Sequence, residues 1–216
     1  MSNIINILTR TSNRPKGFKK CRESITNQSY KLINHIVSYD NVKDLSYLNG
    51  YNNITKVKVD SRKLISNYKG GVVEGRRYLP HNLYLNELLK LVKDGWVLFL
   101  DDDDMLYNEN VINDMVSNLN DTDTIYYHKM RYLNGKTLPD DGSYKDKIPK
   151  YRKIGSPCFV FHSKWVNYSE WDSYSGGDYR FLEKLIKSIP KSKWVDDIYI
   201  QLNNNGGSGK RVDICG

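Results

Sequence analysis

Four consecutive carboxylates, Asp101-Asp102-Asp103-Asp104, offer the plainest chemistry in the chain. Adjacent acids repel one another unless water or a cation neutralises them. Oxygen ligands at this density suit Mg2+ or Mn2+. The run follows Trp96-Val97-Leu98-Phe99-Leu100 without a break, and that apolar stretch, part β-branched and aromatic, reads as a fully buried strand. A solvated acidic turn capping the next helix is the alternative. The position argues for a site, because open α/β sheets bind ligands beyond the carboxyl ends of their strands. Other reactive side chains fall at comparable places. Thr9 and Arg10 end a first strand and lead to Arg14, and Asp40 closes a second. Arg76 and Arg77 lie in a Gly-rich segment, and Asp178 follows Gly176-Gly177 at a helix start.

Elements must carry these residues to one edge. Asn3 to Thr9 is short and apolar and predicts the first strand, with a polar loop to Pro15. Phe18, Cys21 and Ile25 recur at helical spacing, with Lys19, Lys20, Arg22 and Glu23 outward. His35–Tyr39 predicts a second strand ended by the turn pair Asp40-Asn41, and Ile54–Val59 alternates as a half-buried third. Strand, helix, strand, strand is the opening of a nucleotide-binding α/β half. Tyr68 to Pro80 reads as a basic, Gly-rich loop. Leu83, Leu85, Leu88, Leu89 and Val92 then make an amphipathic helix stopped by Asp94-Gly95.

After the acidic run come a helix over Asn108–Leu119 and a strand over Thr124–Met130. Residues 134–156 are loop-like, and connections of that length are commonly lids or mobile segments. A strand Cys158–His162, a helix Tyr179–Ser188 and a strand Trp194–Leu202 complete the pattern. The end, 203–216, is Asn/Gly-rich and basic through Lys210 and Arg211, and reads as a flexible flap. No repeat or domain linker interrupts the chain, so one domain over 1–216 is expected.

Composition narrows the classes. Aromatics at 12%, with 17 Tyr, argue for a packed protein rather than disorder. The net charge of +8 points to an anionic partner: nucleic acid, a membrane surface or phosphorylated small molecules. Cys21, Cys158 and Cys215 are odd in number and widely spaced, which fits a reducing compartment. The apolar residues near the N-terminus are too few for a signal-peptide core, and no run approaches the roughly 18 residues that span a bilayer. A soluble cytosolic protein is expected. Gly206-Gly207-Ser208-Gly209-Lys210-Arg211 fails the phosphate-loop spacing, and no GxGxxG follows the first strand. His35, His81, His128 and His162 show no metal-binding pairing.

Taken together, the Thr-Arg loop, the acid after strand two, the acidic strand end and the Gly-Gly-Asp helix start resemble the GT-A fold of nucleotide-sugar glycosyltransferases. Within it they are most like family 2 and the compact GT-A domains of large DNA viruses. The resemblance covers roughly residues 3–200, and Asp101-x-Asp103 matches the family's DXD signature. It implies a mixed, mostly parallel sheet flanked by helices, a Mn2+ or Mg2+ cofactor, a UDP-sugar donor and a carbohydrate acceptor. For a viral chain it would place the activity in the host cytosol. By that resemblance Asp101 faces the ribose and Asp103 holds the metal, with Asp104 a water-mediated second ligand. Asp102 either joins the nucleotide site or points into the sheet. Asp40 accepts the uracil N3–H, or serves only as a turn residue. Thr9 and Arg10 border base and ribose through side chain and backbone, and Arg14, Arg76 or Arg77 contacts diphosphate; each arginine alone is otherwise a solvated charge. Asp178 is the candidate general base, or a helix cap. Trp171 and Tyr174, with Tyr168, would stack on acceptor sugar, with a core anchor the alternative for Trp171.

Two rivals stand beside this reading. A sugar-phosphate nucleotidyltransferase would need a Gly-rich basic loop after strand one, which is short and glycine-poor here. A nucleic-acid-binding module would account for the charge but leaves four aspartates at a buried edge unexplained; no nucleic-acid partner is expected.

Overall fold

The computed structural model describes residues 3–68 and 73–203. Its strands are β1 (Ile5–Thr11), β2 (Ile33–Tyr39), β3 (Thr55–Lys58), β4 (Trp96–Phe99), β5 (Asp104–Leu106), β6 (Thr124–Arg131), β7 (Thr137–Leu138), β8 (Phe159–His162) and β9 (Lys191–Leu202). The helices are α1 (Pro15–Thr26), α2 (Leu45–Leu48), α3 (Ser61–Asn67), α4 (Tyr84–Leu89), α5 (Val111–Asn118), α6 (Asp141–Asp146) and α7 (Gly177–Ile186).

One mixed sheet runs β3-β2-β1-β4-β8-β6-β9-β5, with β7 pairing on β6. β1 lies parallel between β2 and β4, and β3 is parallel to β2. The carboxyl ends of β1, β2 and β4 therefore share an edge. Past β4 the directions are mixed: β8 is antiparallel to β4 and β6, while β9 is parallel to β6 and antiparallel to β5. The two longest ladders, β1–β2 and β6–β9, are parallel.

The apolar runs of β1 and β4 arise because helices cover both faces of these central strands. Every residue of β4 is buried, and α1 turns Phe18, Cys21 and Ile25 inward as its spacing predicts. An aromatic cluster fills the space behind β4, with Phe99 edge-on to Phe159, Phe181 and Trp171. Gly95 lets β4 start against β1. Its φ is +89°, and a Cβ there would lie 2.3 Å from the Ile4 carbonyl oxygen.

Several stretches differ from the sequence expectation, the short α2 and β5 among them. Residues 134–156 contain β7 and α6 rather than loop alone; Asp140 caps α6 by accepting the Ser143 N–H at 3.0 Å. Asp60 likewise caps α3 in a polar connection. β9 begins at Lys191, because its first residues pair with β6 while their side chains stay in solvent. No described helix is long and apolar enough to cross a membrane. Cys21 and Cys158 are buried free thiols. Cys215, residues 204–216 of the expected flap 203–216 with Lys210 and Arg211, and Gly70-Gly71 lie outside the described residues.

His128 gives the core a measurable pH signature. Its Nε2 meets the Pro157 carbonyl at 2.6 Å, and burial pushes its pKa down to about 4. The unfolded chain protonates this ring near its ordinary 6.5, whereas the folded chain resists until about 4. Stability from this residue is therefore complete above pH 6.5 and lost as pH falls. The stability difference between wild type and His128→Asn, from urea unfolding, is expected to shift against wild type by about 1.4 kcal/mol per pH unit between 6.5 and 4.5. A pH-independent difference would disprove it.

Candidate active site

The acidic run leaves β4 at the shared carboxyl edge, and two arginines from β1 and its following turn close on it. Arg10 Nε donates to Asp101 Oδ1 at 3.1 Å, and its Nη1 donates to Asn82 Oδ1 at 2.7 Å. Arg14 Nη1 donates to Asp102 Oδ1 at 2.8 Å and lies 3.1 Å from Asp103 Oδ2. Asp102 and Asp104 are buried, each 3% exposed. Burial pushes the Asp102 carboxyl up to about 7, against the pull of Arg14 and the Thr11 hydroxyl. Burial, reinforced by Asp101, also raises Asp103, and Asp104 is held well above the usual carboxylate range by burial and its three acidic neighbours.

A divalent cation fits this chemistry. Asp102 Oδ2 and Asp104 Oδ1 are buried with no hydrogen-bond partner, so the cluster remains short of positive charge despite two arginines. All its donors are hard carboxylate oxygens. Among the described residues no three acidic, imidazole or thiol groups form a ready metal cage. Mg2+-type ions are commonly held by one or two carboxylates together with substrate phosphates, which needs no such cage.

Facing the cluster is a bank that residues 77–79 and 173–175 build together. Ser175 N–H donates to the Arg77 carbonyl at 2.8 Å, and Leu79 N–H to the Ser173 carbonyl at 2.6 Å. Asn82 Nδ2 donates to the Tyr174 carbonyl at 3.0 Å, joining this bank to Arg10. The chain then turns through Gly176, φ +76°, into α7. Arg180 fixes the turn, its Nη2 donating to Asp172 Oδ1 at 2.7 Å and to the Ser175 carbonyl at 3.2 Å. Asp178 stands in the first turn of α7, where its Oδ1 accepts the Tyr179 N–H at 2.8 Å. Burial raises its carboxyl, and it is near enough to feel Arg10 and Asp101. It lines a cavity of about 460 Å³ with Arg76, Arg77, Tyr151 and Arg152.

The structure thus brings Arg10, Arg14, Asp101, Asp102 and Asp103 together, and gathers Asp178, Arg76 and Arg77 at an adjoining cavity. Asp40 follows the last residue of β2 and accepts from the Tyr84 hydroxyl at 2.8 Å; the turn capping there belongs to Asn41, which accepts the Lys43 N–H. Tyr174 is half-buried, edge-on to Tyr78. Three expectations are corrected. Trp171 is 2% exposed and stacked on Phe181 at 5.0 Å, so it anchors the core and has no face for a sugar. The Thr9 side chain is fully buried and meets His35 Nε2 at 3.0 Å, so only its backbone is left to border a nucleotide. Tyr168 lies in a 3-10 turn edge-on to Trp165 and lines a separate cavity with Asn86 and Lys184. Asn82, Tyr84, Asp172 and Arg180 escaped sequence reading. Each is a single polar residue whose partner lies far along the chain or on the next turn, and no local pattern marks it.

This arrangement of sheet and flanking helices is the glycosyltransferase fold. S. aureus TarS, residues 1–349, matches with a TM-score of 0.70 and 18% identity over 92% of this chain and 60% of that one. The same TarS fragment in complex with UDP-GlcNAc matches at 0.68, covering 95% and 60%. Mannosyltransferase PcManGT from Pyrobaculum calidifontis, in complex with GDP-Man and Mn2+, matches at 0.64 with 12% identity, covering 93% and 57%. The chain therefore spans less than two thirds of these proteins' lengths. No family model matches the sequence, and no curated protein matches it.

Proposed function

We propose that the protein is a metal-dependent glycosyltransferase on the family 2 plan, moving a sugar from a UDP-sugar to an acceptor hydroxyl with inversion. One observation carries the reading: an aspartate cluster with unpartnered buried oxygens, bracketed by Arg10 and Arg14, near a half-buried Asp178 that lines the adjoining cavity. The TarS and PcManGT complexes with nucleotide sugars, one with Mn2+, support it.

In this reading Asp40, steadied by the Tyr84 hydroxyl, accepts from the uracil ring, and Asp101 with Arg10 faces the ribose. Asp103 would hold the divalent ion, with Asp104 through water; the ion would stabilise negative charge on the departing diphosphate as a Lewis acid. Asp102 keeps Arg14 in place at the phosphate side. Asp178 takes the proton of the acceptor hydroxyl while its oxygen bonds to the anomeric carbon and the carbon–diphosphate bond breaks. Attack from the face opposite the leaving group inverts that carbon.

The test is a panel of nucleotide sugars with Mn2+, Mg2+ or a chelator, reading released nucleoside diphosphate. UDP release from a UDP-sugar that stops on chelation is expected. Failure of folded protein to bind UDP with Mn2+ by calorimetry would overturn the assignment.

A further inference from the structure

We propose that the cavity at Asp178 receives the charged end of an anionic acceptor, a sugar bearing a phosphate or carboxylate near the hydroxyl to be glycosylated. This rests on the glycosyltransferase reading above.

The charged lining of the cavity is lopsided: Arg76, Arg77 and Arg152 face a single carboxylate, Asp178. None of these three guanidiniums has a carboxylate partner among the described residues, whereas nearby Arg180 is fully engaged with Asp172. Arg76 and Arg152 both lie over the Tyr151 ring, at 4.6 and 5.4 Å from its centre. Cation–π contact holds the guanidinium groups but uses none of their in-plane N–H donors, which stay available to a second group. Arg152 also adopts φ +63°, a left-handed conformation that a side chain bears at a cost. Like charges gathered beside the apolar walls of Tyr151 and Ile154 repel one another until an anion enters.

This reassigns Arg76 and Arg77, expected above at the donor diphosphate, to the acceptor. The proposed diphosphate position lies at the aspartate cluster, where Arg10 and Arg14 are already placed. An oxyanion held between Arg76 and Arg152 would instead orient the acceptor beside Asp178. Guanidinium forks accept phosphate and carboxylate oxygens alike, so the geometry names the oxyanion, and experiment separates the two sources.

The full chain, saturated with UDP and Mn2+, is titrated with glucose 6-phosphate, glucuronate, glucose and inorganic phosphate. At least one sugar anion is expected to bind alongside UDP about tenfold or more tighter than glucose, and to weaken with salt. Preference for glucose 6-phosphate assigns a phosphate, and the reverse assigns a carboxylate. Arg152→Gln is expected to weaken that binding by about tenfold, with UDP affinity unchanged. Displacement of UDP by the sugar anion would return these arginines to the diphosphate and overturn the proposal. So would binding no tighter than glucose, inorganic phosphate binding as tightly as the sugar anions, or an Arg152→Gln variant equal to wild type. Failure of the wild type to bind UDP at all would instead remove the reading beneath the proposal, and the proposal with it.

Discussion

Sugar transfer by the Asp178→Asn variant is expected to fall by roughly two to four orders of magnitude, the usual contribution of a positioned base, while its UDP affinity holds. The substitution separates chemistry from architecture. The Asp178 Oδ1 accepts the Tyr179 N–H at 2.8 Å, and an asparagine oxygen can accept the same bond. The helix start, fixed also by Arg180 on Asp172, is thus retained. What is lost is proton affinity. Burial raises the Asp178 carboxyl, so its basic form appears at higher pH than on a surface aspartate. The wild-type rate should therefore decline as pH is lowered through that raised value, and the variant should lose this limb. Transfer rates measured from pH 5 to 8 for both proteins decide it. A variant that transfers at the wild-type rate would leave Asp178 as a helix-start residue only.

The second large effect is expected at Asp103→Ala: metal-dependent UDP release reduced by about a hundredfold or more, the scale set by removing one oriented electrostatic stabiliser. Of the four aspartates, Asp101 is held by Arg10, Asp102 is buried on Arg14, and Asp104 is buried at the start of β5. Asp103 is the remaining member, half-buried with one oxygen 3.1 Å from Arg14. Truncating it leaves Arg14 paired with Asp102 at 2.8 Å and leaves the backbone carbonyl that accepts from Asn203. Thermal unfolding without metal should therefore change little. UDP affinity titrated with and without Mn2+ is the check, and a variant whose affinity still rises with Mn2+ would move the metal ligand elsewhere in the run.

The central strands were readable in the sequence because burial on both faces demands unbroken apolar runs, as in Trp96–Leu100 and Cys158–His162. The acid cluster was readable because its position followed from that strand. Short capped elements were not: α6 has too few residues to show a helical period, and only the Asp140 cap announces it. Aromatic residues near a site were equally opaque, since Trp171 and Tyr174 are alike in pattern yet one is sealed behind β4 and the other half-exposed. Thr9 shows why: in a strand covered on both faces, alternation alone does not tell which polar side chain turns inward to meet a partner such as His35.

One amide spans the gap between the two chemical halves. Asn82 accepts a hydrogen bond from Arg10 with its oxygen and donates one to the Tyr174 carbonyl with its nitrogen. A Cβ on Gly177 would come within 2.9 Å of that same nitrogen. Segments 72 and 92 residues away along the chain are thereby gauged against a single side chain. The aspartate edge and the turn into α7 are thus bridged by the length of one asparagine side chain, a link that no strand or helix of the scaffold supplies.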